Sequence, residues 1–339
     1  MADNKSAYSG EFTLIRAMHE HWKKSNVSGD FSDDAAVLPL DSDQVLTVTT
    51  DMLIEGRHFK SEWSSPEDIG YKSVAVNLSD IAAMGSRPLY LFSSLGLETK
   101  NTEKEWFHAF ISGMEQACLD FSCTIEGGDT TRSDHGMIIC ITAMGKSPKT
   151  NIKRRSAASE GDIIAVTGTL GDAAGALELL YLDQQEEDRS PEAEFLYNRL
   201  HRPSPRVDEG IWLGKKPEVH AMMDLSDGLS GDIRHITSAS KCGAVIDIER
   251  LPVSSALNDI SENMGWSAQN LAATGGDDYE LLFTVSAEKW DEFCRKAEAE
   301  LNIPVTGIGT ITPDADNVQF KDKGKILTDP LGGYDHFKT

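Results

Sequence analysis

Between Lys72 and Arg87 the chain carries a single charged residue, Asp80, in a run otherwise made of Val, Ala, Leu, Ile, Met, Ser, Asn and Gly. Ser65-Pro66-Glu67-Asp68 opens this segment with an N-cap serine, a proline at the first helical position and an acid that closes a capping box. The pattern predicts a helix from Pro66 to about Met84. A helix with so little polar surface is largely buried, so the rest of the fold has to cover it. Ser73, Asn77 and Asp80 share one stripe at i, i+4, i+7 spacing. A lone carboxylate therefore points from an apolar helix into protein or into a site, and needs either an arginine or a metal there.

At 339 residues the chain exceeds what one core usually serves, so two domains and a cleft between them are expected. Thr102-Glu103-Lys104-Glu105 opens a second helix running to about Cys118. Strand-like runs are Val45 to Thr50, Tyr90 to Leu97, Phe121 to Ile125, Met137 to Met144, Asp162 to Thr167, His220 to Met223, Ala244 to Ile248, Tyr279 to Val285 and Val305 to Ile311. Helices fall between them, so the class is α/β (α+β). The polar, basic stretch Lys146 to Arg155 marks the expected boundary, dividing the chain into domains 1–148 and 149–339. Gln184 to Pro191 reads as a charged surface loop.

A formal charge of −23 opposes binding to nucleic acid or to an anionic membrane, both of which need a cationic footprint. The first ten residues contain no apolar stretch and Met137 to Met144 is too short to span a bilayer, which points to a cytosolic protein. The five cysteines, Cys118, Cys123, Cys140, Cys242 and Cys294, lack CxxC spacing and read as buried thiols.

Familiar nucleotide motifs fail. Gly145-Lys146-Ser147 would close a P-loop only with a glycine at 140, where Cys140 stands. Gly307-Ile308-Gly309 lacks the third glycine of a dinucleotide fingerprint. Gly168-Thr169-Leu170-Gly171 follows a strand and opens a helix; it could hold an anion at the helix N-terminus or be a plain strand-to-helix turn.

The chemistry is expected where short acids recur beside Gly, Ser and Thr at the ends of apolar strands. These places are Asp33-Asp34, Thr49-Thr50-Asp51, Gly127-Gly128-Asp129-Thr130-Thr131, Asp224-Leu225-Ser226-Asp227-Gly228 and Gly275-Gly276-Asp277-Asp278. Any one of them alone is a turn or a cap. If Asp34, Asp51, Asp80, Asp129 and Asp224 converge, each pair at about 4 Å repels by roughly 4 kcal/mol at an effective dielectric near 20. Divalent cations would then be needed, and hard oxygen donors without His or Cys select Mg²⁺, which usually shares its shell with substrate phosphates. Arg57-His58, Arg132 and Arg154-Arg155 are the basic residues close by, and Arg155 is placed to reach a polyphosphate.

In order along nearly the whole chain, these stretches resemble the thiamine-monophosphate kinases, relatives of aminoimidazole ribonucleotide synthetase and selenophosphate synthetase. The resemblance runs through Gly10-Glu11-Phe12, Asp33-Asp34-Ala35-Ala36, Thr49-Thr50-Asp51, Ala75 to Gly85, Gly127 to Thr131, Val166 to Gly171, Arg202-Pro203-Ser204-Pro205-Arg206, Asp224 to Leu229 and Gly333-Tyr334-Asp335-His336-Phe337. It implies a two-domain aminoimidazole ribonucleotide synthetase-like fold in which the N-terminal sheets of two subunits pair into a barrel, with ATP and several Mg²⁺ ions in the cleft. Asp34, Thr49, Thr50, Asp51, Asp80, Asp129, Asp224 and Asp227 would be metal ligands. Gly128, Asp129, Arg155 and Ser226 would contact ATP, and His58, Asp277 and Tyr334 would face thiamine monophosphate.

Three departures stand out: Ser32 in place of Gly before the Asp pair, Asp277 in place of Glu, and Tyr334 in place of Trp. The implied reaction is direct in-line transfer of the γ-phosphoryl group to the acceptor phosphate without a general base, the last step to thiamine diphosphate. Alternatives are another ATP-dependent enzyme of the same superfamily, or a non-catalytic nucleotide-binding scaffold.

Overall fold

A computed structural model describes residues 11–25, 29, 32–182, 190–315 and 317–327. Its first sheet is built from β1 (Ala36–Pro39), β2 (Gln44–Ile54), β3 (Arg87–Leu97), β4 (Thr124–Arg132) and β5 (Ile138–Pro148), in the order β1-β2-β5-β3-β4. Only β3 and β4 run parallel in it. One face carries α2 (Pro66–Ala83) and α3 (Lys104–Asp120), and α1 (Glu11–Lys23) precedes the sheet in the chain.

The second half supplies β6 (Ile163–Thr167), α4 (Asp172–Tyr181), α5 (Pro191–His201), α6 (Val207–Gly214), β7 (Val219–Asp224), α7 (Leu229–Ser240) and β8 (Gly243–Asp247). It continues with α8 (Ser255–Met264), α9 (Ala268–Thr274), β9 (Leu281–Val285), α10 (Trp290–Glu300), β10 (Val305–Thr312), β11 (Val318–Asp322) and β12 (Lys325–Ile326). The sheet order is β12-β11-β8-β10-β6-β9-β7, antiparallel except where β11 joins β8.

The helix expected from residue 66 forms as α2, capped by Ser65, whose side chain accepts from the Asp68 amide. Nearly every residue from Ile69 to Ala83 is buried. Its cover comes from both halves: one apolar cluster joins Val74, Leu78 and Ile81 of α2 to Ile139 and Ile141 of the first sheet and to Met222 and Phe283 of the second. Small residues let the neighbours approach closely. A Cβ on Gly113 would lie 1.8 Å from the Glu67 carbonyl oxygen, and one on Gly210 would lie 2.3 Å from that of Ala82.

Most strand expectations are met with small shifts, but Phe121 to Ile125 is displaced: β4 begins at Thr124 and runs through Gly127 to Arg132. Both faces of this edge strand are exposed, so it needs no apolar alternation to announce it. No helix of the described residues is long and apolar enough to cross a membrane. Three cysteines, Cys118, Cys123 and Cys242, are buried, while Cys140 and Cys294 are half-buried.

Candidate active site

Strand alternation puts Thr49 and Asp51 on the face of β2 that meets α2. Asn77, in the predicted stripe of α2, accepts the Asp51 amide on Oδ1 at 3.1 Å. One turn on, Asp80 Oδ2 accepts from Thr49 Oγ1 at 2.5 Å. Ser79 donates from the same turn to Asp224 Oδ2 at 2.6 Å, so the last residue of β7 is tied to the first half of the molecule. Asp34 arrives from the loop before β1, ion-paired to Arg155. Carboxylate oxygens of Asp34, Asp80 and Asp224 lie within 4.8 Å of one another.

The grouping carries an electrostatic penalty. Burial holds the Asp80 carboxyl well above the usual range, and the charges of Asp51, Asp224 and Asp34 add to it. Burial, then Asp34, pushes Asp224 up to about 8, against the help of Ser79 and Arg155. Arg155 is held charged by Asp34, and its positive charge helps to push the half-buried His235 down to about 4, after burial itself. The lone carboxylate of α2 thus faces other carboxylates rather than an arginine of its own. Three clustered hard-oxygen donors that cannot all ionise suit a divalent cation of the magnesium type.

The expected residues divide. Asp34, Thr49, Asp51, Asp80 and Asp224 come together, with Arg155 against Asp34. The Thr50 side chain does not join them: period-two alternation sends it to the opposite face of the sheet, where it meets Cys140, Thr142 and the Ile141 carbonyl. Asp129 is not in the group either. On the edge strand β4 it pairs with Ser94 of β3, and β3 and β5 separate β4 from β2. Beside it, Gly128 has φ 155° and its missing Cβ would strike the Ser93 carbonyl. Ser93, Leu95, Ile111, Met114 and Ile125 line a cavity of about 330 Å³ together with Gly127 to Thr130.

Asp227 lies outside the three-carboxylate group, and its amide and that of Ser226 both donate to Asp232 Oδ2. His58 Nδ1 accepts the Ile54 amide at 2.9 Å, which folds its loop back on β2. Asp277 pairs with Lys72 at 2.9 Å. Tyr334, with the rest of the terminal motif, lies outside the described residues, as does most of the Gln184 to Pro191 loop. Arg132 pairs with Asp134 in solvent. The Gly168–Gly171 turn meets an internal carboxyl: the Gly171 amide donates to both oxygens of the buried Asp278.

Sequence reasoning missed Lys72, Asp232 and Glu280. Glu280 is fully buried between Arg199 and Arg206, with Thr167 on Oε2. Asp232 stands in the first turn of α7, directly after Asp224–Gly228, and that position was the available signal. Lys72 is a single cation on a helix whose apolar run begins one residue later, and nothing in its spacing distinguishes it.

Compared with known proteins, residues 32–147 match the AIR synthase related protein, N-terminal domain, and residues 159–321 match the AIR synthase related protein, C-terminal domain. The chain is 38% identical over 332 residues to the thiamine-monophosphate kinase of Escherichia coli (strain K12), covering 97% of this chain and 99% of that one. It superposes on AaThiL complexed with AMPPCP and TMP with a TM-score of 0.84, at 33% identity and covering 97% of both chains. The thiamine-monophosphate kinase from Stenotrophomonas maltophilia K279a gives a TM-score of 0.76 at 37% identity, covering 93% of this chain and 96% of that one.

Proposed function

The chain belongs to the thiamine-monophosphate kinase family, and from that premise we infer that it transfers the γ-phosphoryl group of ATP to thiamine monophosphate, producing thiamine diphosphate. The observation that supports this chemistry in the chain itself is the group formed by Asp34, Asp80 and Asp224, with Asp51 beside it. Phosphoryl transfer asks a protein mainly to position reactants and offset charge.

Asp34, Asp51, Asp80 and Asp224 would hold magnesium ions, with Thr49 and Ser79 fixing the acid oxygens they touch. Bound there, magnesium would offset the charge of the β- and γ-phosphates. Arg155 would exchange Asp34 for a phosphate oxygen of the nucleotide. The acceptor needs no general base, because a phosphate monoester with a second pKa of about 6 is already largely dianionic at neutral pH. Transfer would then be direct and in line, and a phosphoenzyme trapped with ATP alone would contradict it.

The remaining expected contacts, Gly128, Asp129, Ser226 and Asp227 toward nucleotide or metal and His58, Asp277 and Tyr334 toward the acceptor, stay part of this reading. So does the division into an N-terminal ATP-binding and dimerisation domain, 1–148, and a C-terminal domain, 149–339. A homodimer is supported by the face of the first sheet opposite α2. Val48, Met144 and Tyr90 form one row across β2, β5 and β3 there, and Thr50, Thr142 and Phe92 the next. Leu38, Met52, Tyr90 and Phe92 are 39–51% exposed on that face, an apolar surface that a second copy of the same sheet would cover.

The test is a product assay with ATP, MgCl₂ and thiamine monophosphate, beside samples with EDTA and with Asp51→Asn. Thiamine diphosphate should form, vanish with EDTA, and fall by about two orders of magnitude or more in the variant, as expected when a group that positions phosphoryl charge is lost. Turnover that ignores EDTA would exclude the metal reading, and no thiamine diphosphate from the unaltered protein would exclude the acceptor.

A further inference from the structure

Lys72 lies about two turns before Asp80 on α2, with its side chain only 7% exposed. Its Nζ leaves the first half of the molecule to donate to Asp277 Oδ2 at 2.9 Å. The segment it reaches carries three carboxylates with different surroundings. Asp278 turns inward onto the Gly171 amide, and Glu280 is enclosed by Arg199 and Arg206. Asp277 alone keeps substantial exposure, 36% of its side chain, and its other oxygen accepts from Tyr279 Oη at 2.9 Å.

The backbone here is unusual. Asp277 and Tyr279 adopt φ values of 65° and 50°, the left-handed region that non-glycine residues avoid. Such conformations gather at ligand sites, where the surroundings enforce them. Here the enforcing groups belong to the strand end that carries Asp224: the Asp277 amide donates to the Ser226 carbonyl and the Tyr279 amide to the Leu225 carbonyl, both at 2.8 Å. Burial first, then the charges of Asp277, Asp51 and Asp224, hold the Tyr279 hydroxyl well above its usual range. Lys72 and Tyr279 therefore fix Asp277 on a segment hydrogen-bonded to the strand end that carries Asp224.

We propose that Lys72 is a positioning residue for the acceptor: it crosses to the second half of the molecule and fixes the Asp277 carboxyl group, through which it orients thiamine monophosphate. The proposal rests on the reading of thiamine monophosphate as acceptor. An unpaired carboxylate would repel the acceptor's phosphate, and Lys72 offsets that charge at 2.9 Å. The carboxylate keeps lone pairs for the cationic thiamine part of the same molecule.

The experiment compares wild type, Lys72→Met, Lys72→Arg, Asp277→Asn and the Lys72→Met/Asp277→Asn pair by steady-state kinetics. Calorimetric binding of thiamine monophosphate in the presence of MgCl₂ and a non-hydrolysable ATP analogue supplies a readout independent of turnover. Lys72→Met should raise both KM and Kd for thiamine monophosphate by about tenfold, the affinity equivalent of one lost charge-assisted hydrogen bond. KM for ATP should stay within about twofold, since no group on ATP is touched, and Lys72→Arg should recover most of the loss because it keeps the charge. In the double variant the two effects should not add. Additive effects, equal loss of ATP and acceptor affinity, or an unchanged Kd for thiamine monophosphate in Lys72→Met would each overturn the proposal while a wild type that makes thiamine diphosphate leaves the function standing. A wild type that neither binds nor converts thiamine monophosphate overturns both.

Discussion

Asp224 is the residue whose chemistry most directly couples stability to pH. Its ordinary value of 3.8 is pushed up to about 8 by burial and by Asp34. Between those two values the folded chain binds more protons than the unfolded one, so the stability of the metal-free protein falls as pH rises. Asp80, Asp232 and Asp278 are raised too and act in the same direction. Two groups oppose it: His235, lowered from 6.5 to about 4, between those values, and Lys153, lowered to about 8 by burial, only above that value. MgCl₂ should therefore raise Tm more at pH 8 than at pH 6, because at pH 8 it replaces repulsion and at pH 6 it must also displace protons already held. Melting curves at both pH values, with EDTA and with MgCl₂, test this. An equal rise at both would mean that these carboxyls are not protonated in the metal-free protein. Asp224→Asn should flatten the pH dependence and remove much of the magnesium response. At this scale the sequence pointed to acids that the fold gathers, Asp34, Asp80 and Asp224, but not to their neighbours. Asp80 was conspicuous as a lone charge, whereas the side chain of Thr50, adjacent to Thr49, was assigned to the site and belongs to the other face.

At the scale of elements, α2 is the part on which the site depends. It presents Asn77, Ser79 and Asp80 to β2 and β7 at once, and that requires neighbours close enough to touch its backbone. Gly70 and Gly113 face each other's helices: a Cβ on Gly70 would meet the Phe110 carbonyl oxygen at 2.0 Å, and one on Gly113 that of Glu67 at 1.8 Å. Gly113→Ala must push α3 away from α2, since neither clash is with a movable side-chain end. We expect a loss of about 3 kcal/mol or more, at the upper end of overpacking costs, measured by denaturant unfolding. A loss under about 1 kcal/mol would show that the helices separate easily and that this close approach does not position the site. The helix opening read at Thr102 to Glu105 gave no hint of this, because a glycine inside a helix looks only like a weak helix former until its neighbour is known.

At the scale of the whole molecule, the open face of the first sheet predicts association. Phe92→Glu places a charge in the centre of its apolar rows, and light scattering after size exclusion should then report a monomer where the unaltered chain forms a dimer. Monomeric unaltered protein would remove the dimer from the proposed function. What the sequence determined on its own is what local chemistry can carry: a buried helix from Pro66, apolar strand runs, and short acids beside Gly, Ser and Thr at their ends. The ordered motifs also carried the family. Only the tertiary structure decided which acids meet. Register and strand order bring Asp34, Asp80 and Asp224 together from three separate stretches and leave Asp129 on an edge strand beyond β3 and β5. The same folding delivers Asp278 to Gly171 and Lys72 to Asp277, pairs more than 100 residues apart in the chain, and no pattern confined to a local window specifies contacts over such separations.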